Sequence, residues 1–97
     1  MSDLKTVSDL MPQPRRAPAA MTILVIATTR DPHRQSEALR AALGLTLRGA
    51  RVEVVVAEPL LTPLARRAAE TLRAFGHAVG VELADALPRA DRVEVWT

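Results

Sequence analysis

Thr22-Ile-Leu-Val-Ile-Ala27 and Arg51-Val-Glu-Val-Val-Val-Ala57 are the two runs whose reading decides the fold. The first is continuous, β-branched and aliphatic, the pattern of a strand covered on both faces. The second alternates in part, which predicts a strand slightly more exposed and nearer the sheet edge. Between them, Ala38, Leu39, Ala42, Leu43 and Thr46 fall on one helical stripe, while Arg34, Glu37, Arg40 and Arg48 fall mostly elsewhere. Asp31 followed by Pro32 supplies an N-cap and a first-turn residue that needs no N–H. Gly49 supplies a left-handed stop. The spacing therefore predicts an amphipathic helix over residues 34–48. Strand, helix, strand is one βαβ unit, and such crossovers are almost always right-handed.

Downstream, Glu58-Pro59 breaks the second strand, and Thr62-Pro63 repeats the device of a cap followed by proline. Leu64, Ala65, Ala68, Ala69, Leu72 and Phe75 predict the buried stripe of a second helix, ended by Gly76. His77 to Leu83 reads as a short third strand interrupted by Gly80. Ala84 to Ala90 reads as a loop or a single helical turn, with Asp85 as its cap and Pro88 limiting its length. Arg92-Val-Glu-Val-Trp96 alternates strictly, as a fourth strand does at an edge or with one face against a partner. The expectation for residues 21–97 is one α/β domain with a mostly parallel sheet of about four strands.

Residues 1–20 have a different character. Leu4, Val7, Leu10 and Met11 recur at helical spacing, but so short an isolated helix is marginal. Pro12, Pro14 and Pro18 then favour an extended linker. This segment is expected to be a flexible Pro-rich N-terminal extension. A start at Met21 fits the pattern equally well.

A chain of 97 residues has room for one core, and an apolar fraction of 48% is ample to fill it. The sequence pI of 10.4 suggests a nucleic-acid binder, but the net charge is only +2. The pI is high because Tyr and Cys are missing and Lys5 is the one lysine, so little titrates between His and Arg. Charges of both signs are interspersed, which argues against a nucleic-acid footprint. The absence of cysteine rules out disulfides, thiolate ligands and a cysteine nucleophile in this chain. No apolar run reaches about 18 residues, so no membrane partner is expected. The first residues do not read as a secretory signal, which makes a cytoplasmic location the default expectation.

Ile23-Leu-Val-Ile-Ala-Thr-Thr, with Ser36-Glu-Ala-Leu-Arg-Ala-Ala-Leu-Gly-Leu-Thr-Leu-Arg-Gly-Ala-Arg-Val-Glu-Val-Val-Val, resembles the first βαβ unit of DsrE/DsrF-like proteins. The closing Ala90-Asp-Arg-Val-Glu-Val resembles their final strand. The resemblance covers most of residues 21–97 and rests on pattern. It implies a small flavodoxin-like three-layer fold and a tendency to self-associate or to join a related subunit. Active members relay sulfur as a persulfide on a cysteine in the loop after a middle strand. The corresponding region here, around Gly80 to Ala84, reads Gly-Val-Glu-Leu-Ala, and no side chain there can replace a thiolate. The resemblance therefore implies a non-catalytic relative, acting through oligomerisation or as an accessory subunit.

The loop after the first strand, Thr28-Thr29-Arg30-Asp31-Pro32-His33, lies where open parallel sheets bind ligands. Thr28, Thr29, Arg30 and His33, with the N–H groups of the following helix, are the candidate contacts for a small anion such as phosphate or carboxylate. The bland alternative is a capped connecting loop. Nucleotide fingerprints are missing: there is neither G-x-G-x-x-G after the first strand nor a Walker lysine, so Glu58 reads as a solvated strand-end acid. His33 and His77 lack metal-ligand spacing, and His77 is better explained as a charge near a helix C-terminus. No G-x-S-x-G elbow occurs, and Ser36 reads as a first-turn helix residue. No catalytic residue, cofactor or metal is expected. Trp96 is assigned evenly to an interface or to the subunit's own sheet edge.

Overall fold

The computed structural model describes residues 21–97, so the extension expected over residues 1–20 lies outside the described residues. The chain runs β1 (Thr22–Ala27), α1 (Pro32–Thr46), β2 (Arg51–Val56), α2 (Pro63–Ala74), β3 (Ala78–Val79), α3 (Leu83–Ala86), a 3-10 turn (Leu87–Arg89) and β4 (Arg92–Val95). The four strands form one sheet in the order β3-β2-β1-β4, and all three pairings are parallel. The architecture is α/β and compatible with a small flavodoxin-like three-layer fold.

Both long helices start as their caps predict. The Asp31 carboxylate accepts from the N–H groups of His33 (2.9 Å) and Arg34 (3.3 Å), and Pro32 fills the first helical position. Thr62 accepts from Ala65 N–H at 3.0 Å, with Pro63 in the same role. Gly49 (φ 90°) ends the turn after α1, in the left-handed region that glycine enters without strain.

Strand alternation sorts the core. Ile23 and Val25 of β1 and Val52, Val54 and Val56 of β2 pack with Leu39 and Ala42 of α1 and Ala65, Ala68, Ala69 and Leu72 of α2. Both long helices therefore cover one face of the sheet. Leu24, fully buried, and Ile26 point to the other face, as does Glu53. Among the described residues, that second face carries α3 and the 3-10 turn. They are tied down where Arg89 forks onto Glu53, with Nη2 2.9 Å from Oε1 and Nε 3.1 Å from Oε2.

Several expectations are corrected. β2 is interior, between β1 and β3, and its alternation reflects Glu53, buried on the thin second face and paired there. Leu64 and Phe75 are exposed, at 61% and 71%. Leu64 is a first-turn residue, and Phe75 is the C-cap, where the backbone has already left helical geometry (φ −95°, ψ 14°). The third strand is only Ala78–Val79, because Gly80 (φ 95°) turns the chain away and Leu83 already begins α3. Asp85 lies inside α3; the cap position is Glu82, whose side chain makes no capping bond. β4 is the edge strand that its alternation predicts.

Candidate functional site

The sheet order β3-β2-β1-β4 reverses direction between β1 and β4. In an open parallel sheet that reversal opens a crevice outside the carboxyl ends of the strands, the usual place for a ligand. Here it is flanked by the Thr28–His33 loop after β1 and by Trp96 and Thr97 after β4.

The loop is ordered mainly by itself. Thr29 Oγ1 accepts from Asp31 N–H at 3.1 Å, and the Asp31 carboxylate holds the N–H groups of His33 and Arg34. Two of the donors an incoming anion would use are therefore already bound to an internal carboxylate, whose charge also complements the positive end of α1. His33 Nε2 lies 3.3 Å from Glu37 Oε2, one helical turn on, so the imidazole lies along the helix surface. Thr28 and Arg30 are exposed, and their side chains make no hydrogen bond among the described residues. The fold thus keeps Thr28, Thr29 and Arg30 in the loop and His33 in the first turn of α1, with Thr29 and His33 already engaged in contacts that position the loop and the helix.

The crevice itself is occupied by residues that the sequence did not single out together. Arg34 lies over the Trp96 ring, 5.0 Å from guanidinium carbon to ring centroid, and its Nε donates to the Thr97 carbonyl at 3.4 Å. Trp96 N–H donates to Ile26 C=O at 2.8 Å, continuing the β1–β4 ladder, and the indole packs partly buried against the core. Trp96 thus packs on its own sheet edge. With Glu37, Arg40 and Ala41 these two residues line a shallow depression on the outer side of α1. Arg34 and Trp96 are far apart in sequence, and only the strand order brings them together.

Gln35 is the second residue that spacing alone could not assign. It is fully buried; Oε1 accepts from Leu61 N–H at 2.8 Å and Nε2 donates to Ala57 C=O at 3.4 Å. Beside it, Ser36 Oγ meets Thr62 Oγ1 at 2.7 Å, so the N-terminal part of α1 clamps the connection between β2 and α2. The Gln35 bonds satisfy the backbone groups of Ala57 and Leu61. Ser36 lies in the second turn of α1 and not in the first as expected, because the helix already begins at Pro32, and its hydroxyl has a structural partner.

His77 follows the end of α2, and its Nδ1 accepts from Val52 N–H at 3.2 Å, so the ring ties this turn to the start of β2. Glu58 is exposed beyond the end of β2. Among the described residues, no group of three or more His, Asp or Glu side chains is placed to hold a metal ion. None of the helices among them is long and apolar enough to cross a membrane.

The remaining surface feature is apolar. The β1–β4 register pairs Leu24 with Val93 and Ile26 with Val95, so both valines point to the thinly covered face. Val93 is 40% and Val95 61% exposed, and Leu83 and Leu87 on the α3 segment are also open to solvent. In comparisons with known proteins, no family model, curated protein or solved structure matches this chain.

Proposed function

We propose that this chain is a non-catalytic DsrE-like domain that works by associating with further copies of itself. One observation carries the reading: Val93 and Val95 lie exposed on a sheet face that, among the described residues, is covered by a four-residue helix and a 3-10 turn, whereas the opposite face is covered by helices of 15 and 12 residues. Parallel sheets are ordinarily covered on both faces, because their strands carry apolar residues on both. Contact with a second copy at Val93 and Val95 removes part of this apolar surface from water and adds to the limited area that a domain of this size buries alone.

Chemistry by the chain itself has less support. The sequence contains no cysteine to carry a persulfide, and the polar residues after β1 are largely engaged in capping and in contacts along α1. Sedimentation velocity on the full chain across the micromolar range tests the proposal. A concentration-dependent dimer or higher oligomer is expected; a strict monomer throughout the range overturns it.

A further inference from the structure

β4 is the longer of the two edges of the sheet, and its outer side pairs with no strand among the described residues. The other edge, β3, is two residues long and closes on the Arg73 guanidinium, which donates to the Val79 carbonyl at 3.0 Å. β4 has neither protection. It carries no lysine or proline, and the charges that blunt it, on Arg92 and Glu94, are of opposite sign, so a second copy can answer them. Trp96 N–H turns inward to Ile26, so by strand alternation Arg92 and Glu94 also direct their peptide groups toward β1. Val93 and Val95 direct theirs outward, as donors and acceptors without a partner among the described residues.

The side chains specify what fits there. Arg92 and Glu94 pair with Ile23 and Val25, so both point to the two-helix face; the guanidinium Nη2 of Arg92 is 3.0 Å from Glu94 Oε2. When such a strand pairs antiparallel with a copy of itself about Val93, Arg92 of each copy stands opposite Glu94 of the other. Two attractive cross-strand pairs result on one face. On the other face the two Val93 side chains become neighbours, while each Val93 exchanges its outward N–H and C=O with its counterpart. The register centred one residue later sets Glu94 against Glu94 and is disfavoured by like charge.

We infer that β4 is a homotypic docking edge, at which a second copy adds antiparallel about Val93 to make one continuous eight-stranded sheet across a two-fold axis. The occupant is a second copy because the strand's charge pattern is complementary to its own reverse, and because an isologous contact of this kind closes on itself. The inference rests on the association reading above and adds to it the edge, the direction and the register.

The cysteine-free chain permits a direct test in the full-length protein. Three single variants, Val93→Cys, Glu94→Cys and Val95→Cys, are oxidised with diamide. The register places residue 93 opposite its own copy, within the Cα separation a disulfide spans, and residue 95 opposite Asp91 instead. Disulfide-linked dimer is expected to form fastest for Val93→Cys; faster linkage at 94 or 95 overturns the register. In parallel, Arg92→Glu and Glu94→Arg are each expected to weaken the dimer about tenfold, as two cross-strand pairs turn from attraction to repulsion. Mixing the two variants restores both pairs and the dimer, a recovery that a merely misfolded variant would not show. A wild-type dimer that neither links through residue 93 nor responds to the charge exchanges overturns the β4 interface while leaving self-association standing. A wild-type chain that is monomeric throughout overturns both.

Discussion

Arg89 grips Glu53 through two nitrogens, with Nη2 2.9 Å from one carboxylate oxygen and Nε 3.1 Å from the other. Glu53 is nearly buried in β2, its side chain 12% exposed, while Arg89 reaches down from the 3-10 turn at the surface. The hydrogen bond to Glu53 chiefly raises the Arg89 pKa above its ordinary value, with smaller help from the charges of Glu53 and Asp85 and opposition from desolvation. A raised folded-state pKa contributes stability that is fully present below the unfolded value and is lost only as pH rises through the folded one. For an arginine that window lies far above neutrality, so the arginine stays charged throughout the neutral range.

Arg89→Met is therefore expected to lower the thermal midpoint, because it leaves the Glu53 carboxylate without its cation, whereas Glu53→Leu with Arg89→Met regains most of the loss. Replacing both members removes the desolvation cost of the nearly buried Glu53 along with its attraction to the half-exposed Arg89. Thermal melts of wild type, single and double variants check the pattern; a double variant no better than Arg89→Met would contradict it.

Gln35→Ala is expected to cost about 1–3 kcal/mol, since Leu61 N–H then loses the acceptor that holds the β2–α2 connection. Urea unfolding measures the cost. Faster amide exchange at Leu61 in the variant would place the effect at that bond.

Leu72→Ala and Leu64→Ala separate two residues that helical spacing puts on one stripe. Leu72 is fully buried and Leu64 is 61% exposed. The first substitution should destabilise by about 2–5 kcal/mol and the second by no more than about 0.5. Equal costs in denaturant titrations would contradict the assigned burial.

Arg34→Ala uncovers the one tryptophan of the chain. A loss of about 0.5–1 kcal/mol is expected for an exposed cation over an aromatic face. The variant's Trp96 emission should shift to longer wavelength in the folded state, and an unchanged spectrum would count against the stacking.

Asp31→Ala should cost about 0.5–2 kcal/mol through loss of the α1 cap, while Arg30→Ala should change stability by less than about 0.5. Melts of both variants with and without phosphate complete the comparison. Stabilisation of the wild type by phosphate that disappears in Arg30→Ala would give the loop a ligand-binding role.

The sequence by itself determined the α/β class, both long helices and their caps, and the strand nature of 22–27, 51–56 and 92–95. These depend on interactions short in sequence: apolar runs of β-branched residues, Asp31-Pro32 and Thr62-Pro63 at helix starts, Gly49 and Gly76 at their ends. Tertiary structure decided which face each residue meets. Spacing counted Leu64 and Phe75 as buried although the helix ends face solvent, and it read Glu53 as a sign of an outer strand although Arg89 covers it. It also could not bring Arg34 to Trp96, or show Val93 and Val95 on an unpaired edge, because both depend on β4 returning to the far side of β1. Strand order is set by long-range packing and chain crossover, and the pattern within a strand carries its alternation but not its neighbours.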